Sequence, residues 1–160
     1  MVTAYLALGS NLGDRRAFMR AAVAALGQVA GTRLVGESSI YETVTEGNVS
    51  EPLYLNAVVR VETSLTARQL LDLCLGIERT LGRVRRDDGA RARVIDIDVL
   101  LFDEQIIDEP GLQVPHPALL TRPFVRIPLA DVATPGLRHP QVGERLDTSS
   151  PDPGVRRVFD

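Results

Sequence analysis

The sequence predicts one α+β domain, in which a single antiparallel sheet carries two helices on one of its faces. Three observations predict this class. Apolar residues alternate along several short segments, as in strands with one buried face. In two longer segments they recur every three or four positions, as in amphipathic helices. These segments follow one another as strand, helix, strand, strand, helix, strand.

The first half of the chain supplies a strand, a helix and a second strand. Residues 3–8, TAYLAL, are typical of a strand. Asp14 is a helix-capping residue type, so a helix is expected from there to about Gln28. A second strand is expected over 33–43, although its alternation is poor. A loop over 44–53, which contains glycine and proline, then precedes the next strand.

The second half repeats the pattern with stronger signals. Residues 54–63, YLNAVVRVET, alternate cleanly as a strand. Thr66 opens a helix, since Gln69 three residues later completes a capping box, and Gly82 marks its expected end. The last strand is RVIDIDVLLF, residues 93–102. This order of elements predicts the ferredoxin-like βαββαβ arrangement, with both helices on one face of the sheet.

The length of 160 residues fits a single domain, 1–160, with a core over about 1–132 and a C-terminal extension. The tail over about 147–160 is expected to be poorly structured. No segment has the length and apolar character of a membrane span, and the N-terminus lacks a signal-peptide pattern. The single cysteine, Cys74, is interpreted as a core residue and suits a reducing cytoplasm.

The charged residues restrict the possible function. A net charge of −3 argues against a general affinity for nucleic acid. The chain has no lysine, so all 18 of its basic residues are arginine. This excludes a Walker-type phosphate loop, which needs a lysine after glycine. Any phosphate binding must therefore use arginine, whose planar fork matches phosphate oxygens.

Two carboxylates interrupt the otherwise apolar last strand. Asp96 and Asp98 share one face of it, roughly 7 Å apart along the strand. The other face carries Ile95, Ile97, Val99 and Leu101. Like charges this close raise each other's pKa unless a cation lies between them. The pair therefore indicates either a divalent-metal site or an exposed edge strand with solvated acids.

Other polar groups are expected beside these acids. Tyr54 and Asn56 should share their sheet face, opposite the helices, where only loops or the tail would cover them; such a face is typical of a binding floor. The connection over 79–93 is rich in arginine: Arg79, Arg83, Arg85, Arg86, Arg91 and Arg93. For a single arginine a solvated role is the better interpretation. As a group beside two acids, they suit a nucleoside triphosphate bridged by magnesium.

Three further candidates lie within nine residues of each other. His116 and Arg122 suit phosphate, and the ring of Phe124 suits a flat ligand. The alternatives are a structural histidine and a core phenylalanine.

Taken together, ALGSNLGD, YLNAVV, ARVIDIDVLLFD and VPHP resemble, in order and spacing over residues 1 to about 132, the 6-hydroxymethyl-7,8-dihydropterin pyrophosphokinase family of folate biosynthesis. The resemblance implies transfer of pyrophosphate from ATP to the hydroxymethyl group of a reduced pterin, with release of AMP. It also implies two Mg²⁺ ions, with ATP and the pterin as ligands. We further expect a cytoplasmic monomer that has neither nucleic acid nor membrane as a partner.

The resemblance assigns roles residue by residue. Catalytic roles fall to Arg83, Arg93, Asp96 and Asp98, of which the two aspartates would also hold the metal. Nucleotide contacts fall to Glu78, Arg85, Arg91, His116 and Arg122. Substrate contacts fall to Thr43, Tyr54, Asn56 and Phe124. Gly9, Ser10 and Asn11 match the turn after the first strand.

The chain also departs from the family pattern. The positions Gly89 and Ala90 lack the aromatic residue that closes over the substrate, and a glycine-bearing loop costs more entropy to close, so weaker binding or slower turnover is expected. A catalytically impaired homologue therefore stays open, as does a non-catalytic pterin- or nucleotide-binding module on the same fold. A metal-dependent phosphodiesterase or glycosyltransferase using D-x-D would not need the groups placed for a flat heterocycle.

Overall fold

The structure is a computed structural model that describes residues 1–43, 53–82 and 94–159. In chain order the elements of the first half are β1 (Val2–Ser10), α1 (Arg15–Gly27), β2 (Thr32–Glu37), β3 (Ile40–Thr43), β4 (Tyr54–Thr63) and α2 (Ala67–Gly82). Those of the second half are β5 (Asp96–Phe102), β6 (Ile107–Glu109), β7 (Leu112–Val114), α3 (Pro123–Val132) and β8 (Val155–Val158). Within the described ranges, no helix combines the length and apolar character needed to cross a membrane.

One antiparallel sheet forms the centre of the molecule. Its strands run in the order β5-β1-β4-β3-β8, and β2 also pairs with β4. The predicted antiparallel sheet is confirmed, and β1 lies between the strand that carries the two aspartates and β4. A separate hairpin of β6 and β7 follows β5. The site-bearing strands are therefore neighbours in space although they are distant in sequence.

Both predicted helix starts are confirmed. The Asp14 side chain accepts a hydrogen bond from the Ala17 N–H at 3.1 Å, which caps α1. At the start of α2, the Thr66 N–H donates to Gln69 Oε1 at 2.9 Å, and the Gln69 N–H donates to Thr66 Oγ1 at 3.1 Å. These reciprocal bonds form the expected capping box.

The predicted strand over 33–43 is wrong in one respect, because it is two strands, β2 and β3. Ser38 separates them. Its N–H donates to the Val58 carbonyl at 2.9 Å, and its Oγ accepts from the Val58 N–H at 2.8 Å. A serine hydroxyl thus replaces a backbone carbonyl in the ladder, and the chain shifts register at this point.

The first hydrophobic core lies between the sheet and helices α1 and α2. It contains fully buried leucines of β1, β4 residues such as Val59, and the helix residues Leu26 and Leu70. Cys74 of α2 is completely buried in this core, as predicted. Burial is the main reason that the pKa of its thiol rises to about 12.

The sequence predicted that only loops or the tail would cover the opposite face of the sheet, and this prediction is wrong. Helix α3 packs there, and a second core forms around the fully buried Leu119, Leu129 and Leu146. The sequence concealed this helix because it begins at Pro123 and contains Pro128. The part of this face that α3 leaves open holds the polar residues considered below.

A β-bulge corrects a second expectation about β5. Leu6 pairs with Val99 and Tyr5 pairs with Leu101, so Leu100 is the extra residue. After the bulge the alternation is inverted: Leu101 joins Leu100 in the second core, and Phe102 joins the first. The prediction that Leu101 shares the face of Ile97 is therefore wrong.

The tail over 147–160 was also expected to be poorly structured, and this is wrong for part of it. Residues Val155–Val158 form β8, which pairs with β3 along the edge of the sheet. The edge strand β3 provides the partner that makes this segment a strand.

Candidate active site

A cavity of about 360 Å³ opens on the sheet face beside α3. Its walls come from β1, β3, β4 and β5, from the start of α3 and from the segment that leads into this helix. The polar and aromatic residues that line it are Thr43, Tyr54, Asn56, Asp96, Asp98, His116, Arg122 and Phe124. All of these were singled out in the sequence, and the structure brings them together in one place. The individual roles that the family resemblance gives them stay predictions.

Asn56 and Thr43 form one wall of this cavity. The Asn56 side chain is 7% exposed, and its Nδ2 donates to Thr43 Oγ1 at 2.6 Å. Strand pairing places Thr43 opposite Tyr54, so the hydroxyl, the amide and the ring are neighbours. An amide and a hydroxyl together offer donors and acceptors to the edge of a polar heterocycle.

Gly9 allows β1 to approach this wall closely. A Cβ atom added at Gly9 would lie 3.3 Å from Asn56 Oδ1 and 3.8 Å from the Tyr54 ring. A larger residue would therefore push into the groups that line the cavity. The sequence pattern placed Gly9 and Ser10 in a turn after the first strand, but both lie within β1, so that expectation is wrong. The structure supplies a packing reason for a residue without a side chain at position 9.

Asp96 and Asp98 are the acids of the cavity and occupy the start of β5. Their carboxylate oxygens are the hard donors that Mg²⁺ prefers, and such sites use one or two carboxylates together with phosphate oxygens. Among the residues that the structure describes, no group of three or more His, Cys, Asp or Glu could hold a metal ion. Two carboxylates on one cavity wall fit a metal that also binds phosphate oxygens of a ligand.

Glu78 of α2 lies behind these acids. Its carboxylate Oε1 accepts a hydrogen bond at 2.7 Å from the N–H of Ile97, the residue between the two aspartates. The family resemblance gave Glu78 a nucleotide contact, which stays a prediction. The contact to Ile97 connects α2 to the backbone that carries both acids.

His116 faces Asp98 across the cavity, with its Nε2 4.0 Å from Asp98 Oδ2. Its Nδ1 accepts from the Ala118 N–H at 3.1 Å, so the neutral ring carries its proton on Nε2. Burial lowers the pKa of this imidazole, Asp98 opposes that shift, and Arg122 adds to it. A neutral histidine with an Nε2–H donor therefore points toward the acids.

Arg122 and Phe124 come from the start of α3. The Arg122 guanidinium carbon lies 5.7 Å from the centre of the Phe124 ring, within cation–π range. Phe124 also packs partly against the second core, so the two interpretations offered for it, core residue and ligand contact, are compatible. The guanidinium gives this rim of the cavity a permanent positive charge.

A second cavity, of about 620 Å³, adjoins the first one. Asp98 and His116 line both cavities. The remaining walls come from α2, β5 and the β6–β7 hairpin and include Leu71, Val99, Asp108, Gly111, Leu112 and Gln113. Two ligands could thus meet at Asp98 and His116.

The sequence did not reveal that Leu71 and Val99 line a cavity. An apolar residue on a helix or strand carries the same signal whether it faces a core or a cavity. The hairpin is held by Arg68, whose Nη2 lies 2.9 Å from Glu109 Oε2 and 3.1 Å from the Pro110 carbonyl. Neither the hairpin nor its anchor was predicted.

The arginine-rich connection falls mostly outside the described residues. Arg83, Arg85, Arg91 and Arg93 all lie there, and their assigned phosphate contacts stay predictions. Within the described ranges, the cationic group on the cavity wall is Arg122.

The sequence is similar to that of known enzymes. A family model described as 7,8-dihydro-6-hydroxymethylpterin-pyrophosphokinase matches residues 5–134. A 2-amino-4-hydroxy-6-hydroxymethyldihydropteridine pyrophosphokinase of Bacillus subtilis is 44% identical over 129 residues, covering 81% of this chain and 77% of that protein. The protein of the same name from Methylorubrum extorquens is 43% identical, with 83% and 84% covered. That of Pseudomonas aeruginosa is 41% identical over 157 residues, with 96% and 95% covered.

Solved structures show a similar fold. A triple mutant of Plasmodium falciparum HPPK-DHPS superimposes with a TM-score of 0.73 at 16% sequence identity, over 91% of this chain. The wild-type protein with pteroate gives a TM-score of 0.70. This chain spans only 43% and 41% of those two longer chains. At such low identity the likeness shows the fold alone.

Proposed function

This chain belongs to the 7,8-dihydro-6-hydroxymethylpterin-pyrophosphokinase family, and from that premise we propose that it transfers pyrophosphate from ATP to the hydroxymethyl group of 6-hydroxymethyl-7,8-dihydropterin in folate biosynthesis. The observation that carries the proposal is a shared cavity. Asp96 and Asp98 line the same space as Thr43, Tyr54 and Asn56. Acids that suit a metal–phosphate group and polar groups that suit a heterocycle therefore line one common cavity.

The two cavities suit two different ligands. We assign the pterin to the smaller cavity, where an amide, a hydroxyl and two aromatic rings surround it. We assign ATP to the larger cavity, whose apolar residues Leu71 and Val99 offer a surface for a base. Asp98 and His116 line both, so the phosphates of ATP and the pterin hydroxymethyl group would meet beside them.

Magnesium is proposed as the metal, with Asp96 and Asp98 as its protein ligands. When bound, the metal would withdraw charge from the phosphate oxygens and lower the pKa of the attacking hydroxyl. Two ions are expected with ATP, as in the family.

The protein groups then position and stabilise the reactants. His116 is neutral and presents an Nε2–H, which suits donation to a phosphate oxygen. Arg122 supplies positive charge at the rim, and Arg83, Arg85, Arg91 and Arg93 are proposed to supply more. Held in line, the pterin hydroxyl oxygen bonds to the β-phosphorus while the bond from that phosphorus to the α,β-bridging oxygen breaks. AMP leaves with the bridging oxygen, and the hydroxyl proton passes to solvent. Asn56 and Thr43 fix the heterocycle so that its hydroxymethyl group points toward the acids.

We further infer a ferredoxin-like sheet, a cytoplasmic location and a monomer. The antiparallel strand order with β1 and β4 at the centre supports the first. A fully buried single cysteine is compatible with the reducing cytoplasm. Sedimentation of the purified protein would test the monomer.

The decisive test is to mix the protein with ATP, Mg²⁺ and 6-hydroxymethyl-7,8-dihydropterin and to identify the products by mass spectrometry. We expect AMP and the pterin diphosphate in equal amounts. ADP with a pterin monophosphate would contradict pyrophosphate transfer. Thermal stabilisation by pterin alone, without turnover, would instead indicate a binding module.

A further inference from the structure

Strand β8 lies at the edge of the sheet beside the wall of the smaller cavity. The short strand β3 pairs with β4 only over Tyr41–Thr43, but it pairs with β8 over its whole length, Ile40–Thr43. The last pair joins Thr43 to Val155. Without β8, β3 would be an exposed edge strand held from one side. The family model ends at residue 134, so β8 lies beyond the part that it matches.

A charged cluster reinforces this pairing. Glu42 of β3 is only 14% exposed, and its two carboxylate oxygens bind two different arginines. Oε2 lies 3.1 Å from Arg15 of α1, and Oε1 accepts a hydrogen bond from Arg156 of β8 at 2.5 Å. Burial by itself would raise the pKa of the Glu42 carboxyl, but the hydrogen bonds from Arg156 and Arg15 lower it. Glu42 is thus held as a carboxylate that joins α1, β3 and β8.

The same cluster reaches the start of β4 and the end of the tail. Arg15 donates through Nη1 to the Leu53 carbonyl at 2.6 Å, directly before β4. Arg16 donates through Nη2 to the Phe159 carbonyl at 3.2 Å, directly after β8. Arg156 is 75% exposed, so its ion pair contributes little to global stability. We expect this ion pair to affect the position of β3 instead.

The position of β3 matters because Thr43 follows Glu42 directly. The Thr43 hydroxyl accepts from Asn56, and both side chains line the smaller cavity. The other end of β3 has a separate anchor, since the Tyr41 hydroxyl donates to Asp131 of α3 at 2.7 Å. At the cavity end, the described side-chain contacts of Glu42 are those with Arg15 and Arg156.

We propose that β8 positions the pterin-binding wall, with Arg156 as a positioning residue that acts through Glu42 on Thr43. This inference rests on the proposed function. It makes a selective prediction, because the nucleotide-side cavity is lined by α2, β5 and the β6–β7 hairpin. Among the described residues, no member of β3 or β8 lines that cavity. Loosening β8 should therefore affect the pterin and spare ATP.

Steady-state kinetics of the full chain, with each substrate varied in turn, tests this. Arg156→Ala should raise the KM for the pterin about threefold to fivefold, because an exposed ion pair worth at most about 1 kcal/mol sets the limit of its effect on β3. The KM for ATP should stay within about twofold of wild type, which is ordinary scatter for a group outside that site. Arg156→Lys keeps the positive charge, so its KM for the pterin should lie between those of the wild type and Arg156→Ala. Arg156→Glu should raise the KM for the pterin more than Arg156→Ala does, because the new carboxylate would lie directly opposite that of Glu42.

Arg33→Ala is the matched control. It removes another exposed ion pair between neighbouring strands, Arg33 of β2 with Glu62 of β4, at the end of β4 that lies away from Asn56. The KM values of this variant for both substrates should equal those of the wild type. Glu42→Gln is a second probe that keeps the side-chain shape while removing the charge, and thermal unfolding confirms that each variant is folded.

The outcomes separate the two proposals. An inactive wild type would contradict the proposed function itself. An active wild type whose Arg156→Ala and Glu42→Gln variants keep the normal pterin KM would overturn the role of β8. A parallel rise in both KM values would also overturn it, since that result indicates a general loss of structure.

Discussion

The carboxylate of Glu78 accepts a hydrogen bond from the backbone N–H of Ile97 at 2.7 Å. Ile97 stands between Asp96 and Asp98, so a side chain of α2 fixes the backbone that presents both acids. Backbone N–H groups at the start of a strand need an acceptor when they are partly buried. Glu78 provides that acceptor and sets the spacing of the two carboxylates relative to α2.

Replacement of Glu78 tests this connection. Glu78→Ala should lower the free energy of unfolding by about 1–3 kcal/mol, because the Ile97 N–H loses its acceptor. Turnover should also fall. Glu78→Gln keeps an acceptor oxygen and should retain most of the stability. Urea unfolding and initial rates measure the two effects, with the exposed Asp72→Ala of the same helix as control. Unchanged stability in Glu78→Ala would contradict the assigned contact.

The two acids can be tested by isosteric replacement. Asp96→Asn and Asp98→Asn should each reduce AMP formation by more than about 100-fold, since an amide is a poor ligand for Mg²⁺ and leaves phosphate charge uncompensated. Thermal unfolding should show that both variants are folded. Asp72→Asn, which changes the net charge equally, should keep full activity. Wild-type turnover by both active-site variants would refute the metal role.

Gly9→Ala tests the close approach of β1 to the cavity wall. The new Cβ would lie 3.3 Å from Asn56 Oδ1, so the amide must shift by a few tenths of an ångström. We expect the KM for the pterin to rise about tenfold, the cost of roughly one misplaced hydrogen bond. Gly27→Ala is the control, because nothing lies within 4 Å of a Cβ at that position. A normal pterin KM in Gly9→Ala would show that the wall tolerates the methyl group.

His139 predicts a pH dependence of stability. Its Nδ1 accepts from the N–H groups of Gln141 and Val142, and burial lowers its pKa below 6.5, with Glu144 acting in the opposite direction. The unfolded chain therefore takes up a proton first as the pH falls. Stability from this group should be complete above about pH 6.5, the unfolded pKa, and decline below it.

The measurement is urea unfolding of wild type and His139→Asn across that range. Asparagine offers an acceptor oxygen but does not titrate, so the variant should lose less stability on acidification. His116, whose pKa is also lowered, remains in both proteins and contributes equally. Identical pH profiles for the two proteins would exclude His139 as a source of the dependence.

Local signals in the sequence predicted the part of the fold that local interactions determine. Asp14 and the pair Thr66 and Gln69 make hydrogen bonds within one turn of helix, so their identity alone located two helix starts. Alternation along β4 and at the start of β5 placed Asn56 and both aspartates on one face. These signals sufficed for most of the candidate site.

Elements that depend on distant partners were not predictable in this way. Strand β8 exists beside β3, which is more than a hundred residues earlier in the chain. Helix α3 contains a proline and is stabilised by burying Leu129 against the sheet. The split at Ser38 requires the backbone of Val58. In each case tertiary contacts outweigh local preference.

The bulge at Leu100 divides β5 into a front part that orients the two aspartates and a rear part that packs in the two cores. Ahead of it, strict alternation keeps the acids on the reactive side and isoleucines on the other. Behind it, both Leu101 and Leu100 turn toward α3, and only Phe102 returns. A change in packing at Leu101 or Phe102 should therefore leave the direction of the two carboxylates unchanged, because the alternation that sets this direction ends at the extra residue.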